Sequence, residues 1–429
     1  MKVLELAEQY EDEIIALRRY FHENPELSNR EYNTLAKIAE ELRKIGIPFV
    51  EVENGGILAT LKGMRDNGKT VLLRADIDAL PVQETEDNLL PGKRSCMSRV
   101  PGVMHACGHD GHTAMLLGAA KILAEKREEL EGSVCFCFER GEEATGNVGY
   151  IFAYMEKHNI RIDSVYAIHL LATASAGYTV INDTDMMAGA MAFDITIEGC
   201  GGHGSRPDQA VNPLDAFWAI YGGMLSLRVQ KIDPYQTLTY SIGKVNAGVA
   251  GNIIPQTVNF AGSMRTFDPD GAGMAFYDAF RQLIDSTCQA YGCKATYNAF
   301  TRPGLAIVND PELAAFARNT LAAELGQEHV GTGEPWMASD SYSQYLRQWP
   351  GVYAFLGVEN AEKGVGAAHH NQAFDLDEDV LKLGSAGAAA YAMEYLRTDG
   401  LPGGRKLGYR AFLEQLGVGE KIIARFFGS

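Results

Sequence analysis

The sequence predicts an α/β fold interrupted by a second, α+β unit, and three observations lead to it. Short apolar runs alternate with helical patterns over the first 185 residues. The order becomes strand, helix, strand, strand, helix, strand over 186–299, and the first rhythm returns over 300–398. At 429 residues the chain also exceeds what one hydrophobic core usually supports. The expected organisation is a discontinuous domain over 1–185 and 300–398, an inserted domain over 186–299, and a C-terminal extension over 399–429.

Residues 7–46 read as helix, with Ile14, Leu17 and Phe21 and then Leu35, Ile38, Ala39 and Leu42 at helical spacing, a break at Asn24-Pro25 and a stop at Gly46. A strand at 70–75, a helix at 112–129, a strand at 132–138, a helix at 146–158 and a strand at 164–170 follow. They predict a parallel or mixed sheet covered by helices, whose ligands gather at strand carboxyl ends. Residues 192–198 alternate strictly between apolar and polar; a helix at 212–229, strands at 236–245 and 254–267, a helix at 273–291 and a strand at 294–300 complete a sandwich layout. Helices at 311–325 and 341–348, a strand at 351–357 and a helix at 377–397 resume the first pattern. The extension opens on Gly400-Leu401-Pro402-Gly403-Gly404, a linker composition, before a short amphipathic helix of no readable function.

A net charge of −17 opposes long-range attraction to nucleic acid or an anionic membrane, so any anionic substrate has to be small and held by a local cation. No apolar run reaches membrane-spanning length and residues 1–5 have no signal character, which points to a cytoplasmic protein. Seven cysteines, an odd number, argue against a disulfide framework. Cys135 and Cys137 alternate onto one strand face and read as buried small hydrophobes.

The run Met104-His105-Ala106-Cys107-Gly108-His109-Asp110-Gly111-His112 concentrates one thiol, one carboxylate and three imidazoles beside two glycines. Imidazole and thiolate suit a borderline-soft divalent ion, and Cys107 and His109 can reach one ion from a bent loop. Two alternatives stay open from the residues alone. His105, His109 and His112 at i, i+4 and i+7 would share a helix face as a solvated stripe, and Cys107 could be a nucleophile paired with a histidine.

Further motifs fall at or after predicted strand ends: Asp76 and Asp78, Glu142-Glu143, His169, and His369-His370 before Phe374-Asp375. With Arg74-Ala75-Asp76-Ile77-Asp78-Ala79-Leu80-Pro81, Gly202-His203-Gly204, Asn252-Ile253-Ile254-Pro255, Arg265-Thr266 and His22-Glu23-Asn24-Pro25-Glu26-Leu27-Ser28, the ordered set resembles the M20 metallopeptidase superfamily. It is most similar to the amidohydrolase branch of hippurate hydrolases, aminoacylases and indole-acetyl-amino-acid hydrolases. The resemblance implies a mixed-sheet catalytic domain with an inserted lid and dimerisation domain. By position it implies Cys107, His109, Glu143, His169 and His370 as ligands of two divalent ions, zinc, manganese, cobalt or nickel.

The same resemblance implies that Glu142 is the general base, that His203 stabilises an oxyanion, often in the partner subunit of a homodimer, and that Asn252 and Arg265 hold a substrate carboxylate. Asp76 and Asp78 are placed near the site, to orient ligands or to support the strand end. The chain departs from the branch at Glu139-Arg140-Gly141 in place of Gln-Pro-Ala, Pro207-Asp208 in place of Pro-His, Ser339-Asp340 in place of Glu-Asp and Asn371 in place of Pro. The expected activity is metal-dependent hydrolysis of an N-acyl amino acid or related small amide. A dipeptidase or aminopeptidase of the same superfamily, a thiol hydrolase using Cys107 and a non-catalytic metal-binding protein are the alternatives.

Overall fold

Two compact units make up the computed structural model, which describes residues 2–144, 147–416 and 418–427. The first comprises Met1–Thr184, Val308–Glu334 and Ser341–Ser429, the second Asp185–Ile307 and Pro335–Asp340. Residues 300–307 and 335–340, which the sequence analysis leaves with the larger domain, thus associate with the inserted one. Among the described residues no helix is long and apolar enough to cross a membrane.

In the first unit an eight-stranded mixed sheet has at its centre three parallel pairings. Arg65–Asp76 lies between Glu131–Glu139 and Ser164–Ser175, and Gly351–Glu359 continues on the far side of Ser164–Ser175. The inner parts of these strands are buried on both faces, as the Val/Leu/Phe-rich runs require. Helices His109–Glu125 and Leu381–Arg397 pack over the sheet through Ala114, Leu117, Ala386, Ala389 and neighbours in one apolar core. Asp76 and Glu139 end their strands side by side, in register, and so aim at one edge of the sheet.

The strand pair Phe49–Val52 and Gly56–Lys62 at the sheet edge was not anticipated. Its signal was present: Asn54-Gly55 lies between apolar runs, and Asn54 adopts the left-handed φ of 60° that such tight turns need. A second difference concerns the His/Cys run. The helix begins at His109 rather than 112, so His105 lies outside it and the three histidines form no solvated stripe; all three are buried. The extension forms two short helices, Tyr409–Gln415 and Glu420–Phe427, packed on Val148–Lys157 through Tyr409 against Phe152 and Phe426 against Tyr150.

The second unit is a four-stranded antiparallel sheet in the order Leu238–Ala247, Thr257–Thr266, Gly189–Glu198, Lys294–Phe300. Helices Pro213–Lys231 and Met274–Ala290 cover it, and Phe193, Ile195, Phe260, Phe276 and Phe280 form its core.

Candidate metal centre

The glycines of the 104–112 run explain its shape. Gly108 at φ 90° turns the chain from the loop bearing Cys107 into helix His109–Glu125. A Cβ on Gly111 would stand 2.5 Å from Leu170 Cδ1, so only glycine lets the first helical turn approach the strand that carries His169. Asp110 favours that turn through the helix dipole and is held by Arg18 at 2.9 Å and His22 at 2.7 Å, both fully buried. Arg18 also reaches Glu378 at 3.0 Å, and His22 reaches Glu84 at 2.8 Å, so the buried charges are paired.

Two of the candidate ligands, His109 and His169, are oriented from behind. His109 Nδ1 lies 2.9 Å from the Asp78 carbonyl and 3.2 Å from Asp78 Oδ1. Its Nε2 is buried without a hydrogen-bond partner, 3.5 Å from Asp76 Oδ2. Asp78 Oδ2 accepts from Glu143 N at 3.0 Å and from Ser28 Oγ at 2.6 Å. Burial pushes the Asp78 carboxyl up, but the hydrogen bond and charge of His109 outweigh it and hold the group below its ordinary value.

His169 Nδ1 donates to the Leu170 carbonyl at 2.6 Å, which turns Nε2 toward Cys107 Sγ at 3.6 Å. Burial, then the neighbouring His112 and His369, hold His169 well below its ordinary pKa, so it stays a neutral donor. His112 differs. Its Nε2 accepts from Leu170 N at 2.9 Å, so its proton sits on Nδ1, which donates to Asp76 Oδ1 at 2.6 Å. Both of its nitrogens are committed, and as a ligand it would forfeit one of these bonds.

His370 is a non-glycine residue at φ 63°, a conformation that costs energy and marks functional positions. Its N–H donates to the Ala106 carbonyl at 2.8 Å, tying it to the cysteine loop. Its Nε2 approaches Glu143 Oε1 to 3.2 Å, although the geometry is not that of a hydrogen bond and Glu143 Oε1 has no such partner.

Donor atoms of Cys107, His109 and His169 lie within 4.8 Å of one another, and so do those of Cys107, Glu143 and His370. The five residues singled out from the sequence therefore come together as two groups of three that share Cys107. Glu142 falls in a further group with His109 and Glu143, and its Oε1 accepts from Ser341 N at 3.0 Å. Asp76, His109 and His112 form another such group, disfavoured by the bonds His112 already makes. These residues fit divalent cations: the donors are imidazole, thiol and carboxylate, and two of them, His109 Nε2 and Glu143 Oε1, are buried with no hydrogen-bond partner. Burial raises the Cys107 thiol above its usual pKa. A thiol nucleophile needs the opposite shift, whereas a bound cation deprotonates a coordinating thiol.

In the second unit, His203 lies on the short strand Gly202–His203, paired in register with Ile253 of Ile253–Ile254. Gly204 N donates to the Asn252 carbonyl at 2.9 Å, so His203 and Asn252 share one turn. Ser205 N donates to His203 Nδ1 at 3.1 Å, which leaves the proton on the exposed Nε2. Arg265 lies elsewhere, near the opposite end of strand Thr257–Thr266, and donates to Ser339 Oγ at 2.9 Å. Arg74, Ser28 and Ser341, which brace the centre, were not singled out as site residues by sequence; Arg74, two residues before Asp76, and Ser28, at the end of the N-terminal motif, lay inside quoted motifs, and Ser341 did not.

Residues 72–394 match the model of peptidase family M20/M25/M40, and the chain belongs to that family. It is 36% identical over 395 residues to thermostable carboxypeptidase 2 of Saccharolobus solfataricus, covering 90% of this chain and 96% of the relative. It is 32% identical over 404 residues to IAA-amino acid hydrolase ILR1-like 2 of Arabidopsis thaliana, covering 92% and 88%. With N-acetylcysteine deacetylase of Bacillus subtilis it shares 32% identity over 387 residues, covering 90% and 97%. The solved structure of the Bacillus subtilis YXEP protein, described as a dinuclear metal binding peptidase from the M20 family, superposes with a TM-score of 0.75 and 29% identity, covering 91% of this chain and 99% of that one. The protein is thus a hydrolase of C–N amide bonds whose activity depends on metal.

If Cys107 is a ligand shared by both groups, Cys107→Ala will retain markedly less divalent metal than wild type after dialysis, as read by elemental analysis. Full occupancy in that variant would remove Cys107 from the centre.

Proposed function

We propose that the protein cleaves the amide bond of an N-acyl amino acid, releasing a carboxylic acid and a free amino acid. The observation that carries this reading is the pair of donor groups sharing Cys107, with the Glu142 carboxylate beside them. Two divalent ions, zinc, manganese, cobalt or nickel, held by Cys107, His109, Glu143, His169 and His370, would polarise the amide carbonyl and lower the pKa of a water.

Glu142 takes the proton of the attacking water and returns it to the leaving nitrogen, a task that needs a carboxylate next to the ligand set but outside it. His203, with its proton on Nε2, donates to the oxyanion that develops at the scissile carbonyl. Arg265, with Asn252, holds the free carboxylate of the amino acid, supplying the local cation that an acidic chain otherwise lacks. The relatives named for N-acetylcysteine and for IAA-amino acid conjugates support this substrate class.

The carboxypeptidase relative favours a second reading, cleavage of a peptide's C-terminal residue. Both substrates present a free carboxylate on the leaving side and differ on the acyl side. A dipeptidase or aminopeptidase would in addition need an acidic group for a free α-amine. A panel of N-acyl amino acids, free dipeptides and longer peptides, scored for released amine with metal-reconstituted protein, separates these classes. N-acyl amino acids are expected to be hydrolysed fastest; turnover confined to peptides would overturn the assignment. On the best substrate Glu142→Ala is expected to lose at least about two orders of magnitude in kcat, the scale of general acid–base catalysis, while keeping its metal.

The proposal includes a homodimer formed through the inserted domain and a cytoplasmic location, a reducing compartment that suits seven free cysteines. Leu238–Ala247 is an edge strand of the second sheet, and helix Pro213–Lys231 exposes Trp218, Tyr221, Leu225 and Val229 along one side. A second copy would cover that apolar stripe. If His203 serves the partner's site, mixing inactive Glu142→Ala with inactive His203→Ala subunits will restore about one quarter of wild-type activity, since random exchange makes about half of the dimers mixed and one of their two sites complete. No recovery despite verified exchange would mean that His203 acts within its own chain or not at all.

A further inference from the structure

We infer that Ser341 is a positioning residue for Glu142, set in place by a buried Arg74–Glu139 pair. This rests on the reading of Glu142 as the general base. The Ser341 N–H donates to Glu142 Oε1 at 3.0 Å, and the Ser341 hydroxyl is engaged in both directions: it donates to Glu139 Oε1 at 2.7 Å and accepts from Arg74 Nη2 at 2.9 Å. Arg74 Nε and the Tyr345 hydroxyl meet the other oxygen, Glu139 Oε2, at 2.9 and 3.0 Å. Arg74 Nη1 reaches Asp76 Oδ2 at 2.8 Å, and the Arg74 and Glu139 side chains are 2% and 1% exposed.

The chemistry of this cluster is directional. Serine hydroxyl, guanidinium and phenol all donate to Glu139, so both of its oxygens have to be acceptors. A glutamine there would turn an N–H₂ toward a donor. The residue whose hydroxyl is held by these two charged groups also presents its backbone N–H to Glu142. An N–H on one carboxylate oxygen fixes which oxygen is left to take a proton. A buried ion pair is by itself weak evidence of a stability role. Here it spans from Asp76, the partner of His112, to the residue that bonds Glu142, and so aligns the proton acceptor with the ligand cluster.

The test compares kcat, KM, metal content and thermal midpoint for Ser341→Ala, Ser341→Thr, Glu139→Gln and Glu142→Ala, with the Ser341→Ala change repeated in the Glu142→Ala background. Ser341→Ala and Glu139→Gln are expected to lower kcat about tenfold, a misalignment-sized loss, with KM and bound metal unchanged. Ser341→Thr keeps the hydroxyl and should restore most of the rate. In the Glu142→Ala background Ser341→Ala should have no further effect, because the group it aligns is gone.

A kcat for Ser341→Ala and Glu139→Gln within about twofold of wild type, or an equal loss with and without Glu142, would overturn the positioning role while leaving the base intact. Loss of metal or a raised KM in step with kcat would assign the cluster a structural role instead. Near-wild-type activity of Glu142→Ala would show that the base reading itself had failed. If Ser341→Ala does not fold, Glu139→Gln and Ser341→Thr decide the matter alone.

Discussion

The carboxylate of Asp78 joins three separate stretches of chain, and the geometry of the centre depends on it. One oxygen faces the His109 ring; the other accepts from the backbone of Glu143 and from the Ser28 hydroxyl. A helix start, the turn after a strand and an N-terminal loop are thereby referred to one buried point. Such a network is strong only when all its bonds are made, since a buried carboxylate with fewer partners would carry an uncompensated charge. The strand Arg65–Asp76 delivers Asp78 there, and the neighbouring Asp76 repeats the arrangement with His112.

A second constraint is that the imidazoles are held by acceptors that do not compete for a cation. The Asp78 carbonyl holds His109 and the Leu170 carbonyl holds His169, each on Nδ1, so that Nε2 is the atom turned to the cluster. Farther back, the paired charges around Arg18 and His22 fix Asp110 and, with it, the first turn of the helix that begins at His109. Charge, hydrogen bonding and the small volume of Gly111 therefore act on the same few residues.

Much of this was legible in the sequence, for physical reasons. Alternation and helical periodicity located the principal strands and helices of both units, because burial on one face imposes them. The Cys107/His109 run stands out because its composition is wrong for a core, whereas the Glu142-Glu143 pair is unremarkable by itself and is marked only by the motifs around it. What the sequence could not carry was direction. Asp76 and Asp78 could be placed near the site but not given partners, since their roles depend on which ring nitrogen each faces. Spacing alone would let His105 and His112 share a helix face with His109; the helix start and the Leu170 N–H bond give the three separate places. Ser341 lies far along the chain from Glu142, and nothing in a serine within a polar stretch announces a backbone bond to it. The hairpin around Asn54-Gly55 carries a legible turn signal, although its first strand is only four residues long and lies at the sheet edge.

The central claim is that Cys107, His109, Glu143, His169 and His370 together hold two divalent ions. Anomalous diffraction from crystals of metal-reconstituted protein, recorded at the absorption edge of the added metal, tests it most directly. The account predicts two peaks within bonding distance of these five side chains, both in contact with Cys107. A single peak, or peaks seated on Asp76 and His112 with Cys107 unengaged, would contradict it.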